Sequence, residues 1–148
     1  MTHLELTFPS RSAAARMARE ALRQPGRQLE EPLLADVILL ATELVTNSVR
    51  HAQLRNGDSI RLSMSIEPDS VRVEVTDPGI GFPPERFGPT YDGSSGWGLF
   101  LVARLATRWG IERRPTTVWF EIDRARDRPV RARALASPGA PAPPSRVV

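Results

Sequence analysis

Residues 77–98 carry no hydrophobic period, and this interruption constrains how the rest of the 148-residue chain can fold. Six of the ten glycines lie in this segment: Gly79, Gly81, Gly88, Gly93, Gly96 and Gly98. A loop of this length inside a compact domain is typical either of a functional segment or of disorder. The core must therefore come from the segments that precede and follow it.

Those flanking segments alternate between strand and helix patterns. Period-two alternation predicts strands at Leu4–Phe8, Ile60–Ile66, Val71–Thr76, 111–114 and Thr116–Ile122, the first at a sheet edge. Helical spacing predicts helices at 13–22, capped by Ser10 or Ser12, at Pro32–Ala52 and at Leu99–Trp109. The order predicts an α+β fold: a two-layer sandwich with a mixed, mostly antiparallel sheet and helices on one face, over which the glycine-rich loop could act as a lid.

The long helix carries an apolar stripe that should face this sheet. The stripe is formed by Leu33, Val37, Leu40, Ala41, Leu44, Val45 and Ser48.

The charge is unevenly distributed along the chain. The net charge is +3, but the residues after Ile122 hold six arginines against two aspartates, so the preceding part is close to neutral. We therefore expect a domain over residues 1–123 and a disordered Arg/Ala/Pro-rich tail over residues 124–148. A near-neutral domain argues against nucleic-acid binding.

The absence of cysteine and lysine excludes certain kinds of site and indicates the cellular compartment. The chain has no cysteine, which excludes disulfides and thiolate metal sites. We expect a cytoplasmic protein, with no apolar run of membrane-spanning length and no signal peptide. All 20 basic residues are arginine, which excludes a lysine-dependent phosphate loop and suggests a GC-rich, actinobacterial genome.

The stretch Asp77-Pro78-Gly79-Ile80-Gly81 follows directly on a predicted strand. It has the composition of a simple turn. It also has the composition of a ligand site, because a carboxylate at a strand end can accept a hydrogen bond from an amine and glycines permit close approach. By itself the stretch leaves both interpretations open.

Glu43 and Asn47 lie four residues apart on the long helix and so share a face. They could be ordinary solvent-facing residues. An amide oxygen is also a ligand for Mg²⁺, and a carboxylate can accept a proton from an attacking hydroxyl. Gly96-Trp97-Gly98 stands just before the third helix, where it is either an ordinary loop or an anion site at a helix N-terminus.

Together, these motifs resemble the ATP-binding domain shared by gyrase B, heat-shock chaperones, MutL and histidine kinases, which has the Bergerat-type fold. Glu43-x-x-x-Asn47 resembles its N box, Asp77-x-Gly79-x-Gly81 its first glycine box and Gly96-x-Gly98-Leu99 its second. Thr116-Thr117 resembles the threonine pair that follows. The small size of the chain and the sequence around Asn47 resemble those of the bacterial anti-sigma factor serine/threonine kinases.

The resemblance implies residue roles. Asp77 would receive the adenine amino group, supported through a water by Thr116, and Asn47 would hold Mg²⁺. Glu43 would be the general base. The remaining nucleotide-binding positions would be Gly79, Gly81, Gly96, Trp97, Gly98 and Leu99, and residues 82–95 would be the lid.

The resemblance also implies ATP and Mg²⁺ as cofactors. The activity that it implies is that of a protein kinase, which phosphorylates a serine on an anti-sigma antagonist and regulates a sigma factor. The implied assembly is a homodimer. The alternative is a nucleotide-gated regulatory binding protein with little or no kinase activity. Trp97, where many relatives have arginine, and a lid with Arg86 as its one basic residue keep that alternative open.

Overall fold

The computed structural model describes residues 1–52, 54–79, 97–113, 115–124 and 146–147. The strands are β1 (Thr2–Pro9), β2 (Ser59–Ile66), β3 (Ser70–Asp77), β4 (Arg108–Glu112), β5 (Thr116–Asp123) and β6 (Arg146–Val147). The helices are α1 (Ala14–Arg23), α2 (Glu31–His51) and α3 (Trp97–Leu105), with a short 3₁₀ helix at Pro25–Gln28.

The six strands form one sheet in the order β1-β2-β3-β5-β4-β6. Neighbouring strands are antiparallel except β4 and β6, which are parallel. Alternate residues of β2 and β3 are buried, and the core cluster joins them to the apolar residues of the three helices. The predicted α+β sandwich, its edge strand and its mixed, mostly antiparallel sheet are confirmed, whereas most of the predicted lid lies outside the described residues.

Helix α2 is the central element of the helix layer, because it contacts α1, α3, β2 and β3. Its predicted sheet-facing residues are all buried: Leu33, Val37, Leu40, Ala41, Leu44, Val45 and Ser48. Pro32 lies in the first turn, where a missing N–H costs nothing. This packing fixes α2 against the sheet and so fixes the side chains on its flanks.

Helix α2 corrects the expectation that no apolar run reaches membrane-spanning length. Within the described residues, Glu31–Arg50 is long and apolar enough, by length and composition alone, to cross a membrane. Half of that window is buried inside the structure. The apolar side chains of α2 therefore contact the sheet, as those of a core helix do.

Two predicted helix boundaries are wrong. Helix α1 has no side-chain cap, because its N-cap residue is Ala13 rather than Ser10 or Ser12. Ser10 instead extends the β1–β2 ladder by donating its N–H to the Asp58 carbonyl at 3.0 Å. Helix α3 ends at Leu105 rather than Trp109, since the Thr107 N–H bonds to the Glu121 carbonyl at 2.8 Å and starts the approach to β5. Trp109 lies in β4, opposite Phe120.

Three residues of the predicted tail contact the domain. The Arg124 N–H donates to the Asp69 carbonyl at 2.7 Å, and its guanidinium donates to the Glu67 carbonyl at 2.7 Å. Arg146 and Val147 pair with β4. The rest of residues 124–148 lies outside the described part of the chain.

Candidate functional site

Asp77 is the last residue of β3, and its side chain is buried, with 2% of the residue exposed. The Ser48 hydroxyl donates to Oδ2 at 2.6 Å, and the Gly79 N–H donates to Oδ1 at 2.9 Å. Burial raises the pKa of the Asp77 carboxyl above its usual value, while these two hydrogen bonds act in the opposite direction. The result is a shielded carboxylate that is held in one orientation from two sides.

Ser48 is the site residue that sequence reasoning misinterpreted. It lies on α2 with 3% of its surface exposed, and the sequence assigned it only to the sheet-facing stripe. It does face the sheet, but it contacts the Asp77 carboxylate there. The available signal was a hydroxyl residue at a position where the helical period demands an apolar one.

Gly79 begins the glycine-rich loop and lies against the end of α2. A Cβ at this position would collide with the Ala52 carbonyl oxygen and would lie 2.6 Å from Ala52 Cβ. The close approach that requires glycine here is thus to the protein's own backbone, although the sequence suggested approach to a flat ligand. Gly79 therefore fixes the start of the loop beside Asp77.

Thr116 is the first residue of β5 and pairs directly with Asp77. Its hydroxyl donates to the Gly79 carbonyl at 3.1 Å, so its observed partner is the loop backbone. Thr117 points to the opposite face of the sheet, where its hydroxyl lies 2.9 Å from that of Thr76. The two threonines of the pair thus have different roles, and Thr116 alone contributes to the surroundings of Asp77.

The second group of predicted residues meets where α3 crosses α2. A Cβ on Gly98 would lie 2.6 Å from Asn47 Nδ2 and 3.3 Å from Glu43 Cβ. Real Cβ atoms do not approach other atoms within 3.0 Å, so Gly98 lets the first turn of α3 contact these two side chains. Glu43 and Asn47 are both partly exposed, as reactive or ligand-binding groups must be.

The remaining predicted positions divide into two sets. Leu99 is 5% exposed and belongs to the hydrophobic core. Trp97 is the first residue of α3, but its side chain lies outside the described part of the structure, as do Gly81 and Gly96 entirely. Their predicted contributions stay predictions.

Helix α2 connects the two groups, since Asn47 and Ser48 are consecutive residues on it. Asn47 lies beside Gly98 at the start of α3, and Ser48 bonds to Asp77. The buried carboxylate of Asp77 thus contacts the residue of α2 that follows Asn47, and Asn47 and Glu43 lie beside the start of α3. Such a site suits a ligand with an amine edge at one end and negative charge at the other.

Comparison with known proteins gives the family of this domain. A model of the histidine kinase-like ATPase domain matches residues 8–122. The chain belongs to the histidine kinase-like ATPase domain family. Its strands β2, β3 and β4, all of β5 except Asp123, and all three helices lie within the matched range.

Two relatives and one solved structure extend this comparison. An anti-sigma F factor of Pasteuria penetrans is 37% identical over 82 residues, which cover 53% of this chain and about half, 55%, of that protein. An uncharacterised protein of Streptomyces coelicolor is 36% identical over 74 residues, covering 49% and 70% of the two chains. Part of the solved structure of the RsbU and RsbW domains of Rv1364c from Mycobacterium tuberculosis has the same fold, with a TM-score of 0.61 at 21% identity over 82% of this chain and 32% of that one.

The described residues fit the nucleotide that a histidine kinase-like ATPase domain implies. Asp77 supplies an acceptor for an amine edge, and Gly98 keeps the first turn of α3 free of a side chain beside Asn47. Within the described residues no group of three or more His, Cys, Asp or Glu side chains could hold a metal ion.

Proposed function

We propose that the chain is an ATP-binding protein serine/threonine kinase of the anti-sigma factor type, which phosphorylates a serine on an anti-sigma antagonist and regulates a sigma factor. The observation that carries the proposal is the contact of Gly98 with Asn47 and Glu43, which places a carboxylate and an amide beside a helix N-terminus. The similarity to an anti-sigma F factor supports the regulatory class.

At the adenine end, Asp77 accepts a hydrogen bond from the adenine amino group. Ser48 and the Gly79 N–H hold the carboxylate in place, and Thr116 holds the Gly79 carbonyl. The carboxylate is already desolvated, which makes a hydrogen bond to it stronger than one made in water. Asp77 therefore determines the base that the site accepts.

At the phosphate end, the Asn47 amide oxygen is the Mg²⁺ ligand and the start of α3 receives the phosphate oxygens. Gly98, and Trp97 through its backbone, would contribute N–H groups there, whereas Gly81, Gly96 and the predicted lid 82–95 lie outside the described residues. The bound Mg·ATP supplies the phosphoryl group, with its charge neutralised by the metal. The protein's contribution is then mainly to position the substrates.

Glu43 is the general base in this proposal. Its carboxylate takes the hydroxyl proton of the substrate serine as the serine oxygen bonds to the γ-phosphorus, and the bond from that phosphorus to the bridging oxygen of ADP breaks. The partial exposure of Glu43 leaves it accessible to a second protein. We further propose that the protein is cytoplasmic and acts as a homodimer.

The test is transfer of label from γ-labelled ATP to the serine-bearing antagonist proteins encoded in the same genome, each purified and incubated with the full chain and Mg²⁺. We expect phosphoserine on one of them. If the chain binds ATP by calorimetry but labels none of the panel, the kinase proposal is contradicted and the nucleotide-gated binding protein is the better description.

A further inference from the structure

We infer that the edge of β4 that faces away from β5 is a binding site for an extended peptide segment, and that residues 146 and 147 of the same chain occupy it. The inference does not depend on the proposed function. Strand β4 pairs with β5 along one edge. Along the other edge it pairs in parallel with β6, Gly110 with Arg146 and Ile111 with Val147. Addition of an extended segment to a strand edge is a common mode of peptide binding, in which backbone groups give affinity and alternate side chains give specificity.

The register of β6 continues an apolar row that crosses the whole sheet on the face that packs against the helices. This row is formed by Leu6, Leu62, Val75, Val118 and Ile111. All of them except Leu6 are buried. The register places residue 147, a valine, next to Ile111 at the end of this apolar row. The site thus favours an aliphatic residue at that position.

The preceding residue, Arg146, enters a row on the opposite face of the sheet. This polar row is formed by Glu5, Ser63, Glu74, Trp119 and Gly110. Gly110 has no side chain, so β4 leaves space on this face beside residue 146. A slip of one residue would place either Arg146 in the apolar row or Val147 in the polar row. The sequence Arg146-Val147 therefore fits the observed register and neither of the slipped ones.

The pairing of β6 is short, which makes the occupied edge exchangeable. Two residues make few backbone hydrogen bonds, and the net contribution of each bond is small. The pairing must also offset the entropy lost in closing the connection formed by residues 125–145. A free peptide with the same pattern can therefore replace the segment. The ligand that the site takes is an extended peptide parallel to β4, with an aliphatic residue beside Ile111 and a polar one beside Gly110.

The segment is tethered to the domain, which favours its own occupation of the edge. The Arg124 N–H donates to the Asp69 carbonyl at 2.7 Å, and its guanidinium donates to the Glu67 carbonyl at 2.7 Å. The chain is thus held against the sheet at the start of the connection. A tethered segment has a high effective concentration at its site, so residues 146 and 147 compete with any free peptide.

Hydrogen exchange of the full chain, followed by mass spectrometry, tests the occupation of the β4 edge. Val147→Asp introduces a charge at the end of the apolar row. We expect the β4 amides to exchange about tenfold faster or more, while those of β2 are unchanged. The matched control is Arg146→Gln, which changes the charge by the same amount in the polar row and should exchange like the unmodified chain. Unchanged exchange of β4 in Val147→Asp, or an equal effect of Arg146→Gln, would overturn the inference.

A synthetic peptide with the sequence of residues 143–148 gives the second readout. In fluorescence anisotropy, the labelled peptide should bind full-chain Val147→Asp at least about tenfold more tightly than the unmodified chain, whose own segment competes. A peptide that carries the same Val147→Asp change is the control and should not bind. Equal binding of the two peptides or no binding to the Val147→Asp chain would contradict the site. Protection of β4 that falls on dilution of the unmodified chain would show a second copy as the occupant, and it would overturn the assignment to the same chain.

Discussion

The Ser48 hydroxyl donates a 2.6 Å hydrogen bond to Asp77 Oδ2, and both residues are almost completely buried. The bond joins the long core helix to the end of the central strand β3. Through it, the position of the proposed adenine acceptor depends on the packing of α2 against the sheet.

Replacing Ser48 by alanine leaves one oxygen of a buried carboxylate without its donor. We expect Ser48→Ala to lower the free energy of unfolding by about 1–3 kcal/mol, to raise the pKa of Asp77 further and to weaken ATP binding. Urea unfolding and calorimetric titration with ATP measure these effects. The matched control is Thr42→Val, which removes another α2 hydroxyl, one bonded only to the Ile38 carbonyl. Equal ATP affinities for the two variants would contradict the role given to Ser48.

The raised pKa of Asp77 predicts the sign of a pH dependence. Below the unfolded-state pKa of about 3.9, Asp77 is protonated in both states. As the pH rises, the unfolded state ionises first, so the stability conferred by protonated Asp77 is lost as the pH passes through the folded-state pKa.

Urea unfolding of the unmodified chain and of Asp77→Asn, compared from about pH 3.5 to pH 7, tests that sign. The unmodified chain should lose stability relative to the variant as the pH rises. Because the other carboxylates are common to both proteins, their contributions largely cancel in the difference. A difference that grows in favour of the unmodified chain would mean that the hydrogen bonds outweigh burial.

Alanine substitutions at Gly98 and Gly57 should have different effects, the first on the site and the second on stability. In Gly98→Ala, the added Cβ meets Asn47 Nδ2 at 2.6 Å, so either the Asn47 side chain or α3 must move. Either movement displaces the proposed Mg²⁺ ligand, and we expect both ATP binding and phosphoryl transfer to fall by about tenfold or more. The control is Gly57→Ala: Gly57 has φ of +96° and no atom within 4 Å of an added Cβ, so strain should lower stability by about 1 kcal/mol without affecting the site. Calorimetry and thermal unfolding of both variants distinguish the two effects.

The architecture was largely predictable from the sequence because its signals are periodic. The seven-residue stripe of α2 and the alternation of β2 and β3 each specify one buried face, and the structure has those faces. The end of α3 was not predictable in this way. Trp109 continues an apolar pattern in sequence, but the Thr107 backbone bond to Glu121 starts a strand instead.

The site was less predictable than the fold, because its contacts join residues that are distant in sequence. Ser48 and Asp77 are 29 residues apart, and Gly79 and Thr116 are 37 apart. Periodicity reports which face a residue occupies but not what it touches there. The glycine boxes showed that close approach was needed, and only the fold showed that Gly79 approaches Ala52 and that Gly98 approaches Asn47.

Substitution of Glu43 should separate ATP binding from phosphoryl transfer. Glu43→Gln keeps the size of the side chain but cannot take the serine proton, so we expect ATP affinity to be retained and transfer to fall by about 10²–10⁴-fold. The matched control is Glu31→Gln, at the exposed start of the same helix, which should leave both unchanged. Normal transfer by Glu43→Gln, measured on the antagonist that the unmodified chain labels, would exclude Glu43 as the base.

The central claim is that Asp77 recognises an adenine amino group, and calorimetric titration with ATP and GTP tests it most directly. Guanine presents a carbonyl oxygen where adenine presents that amine, so it would face the Asp77 carboxylate with no donor. We expect the unmodified chain to bind ATP at least about tenfold more tightly than GTP, and Asp77→Asn to lose both the tight ATP binding and the preference. Equal binding of ATP and GTP by the unmodified chain, or unaltered ATP binding by Asp77→Asn, would contradict the account.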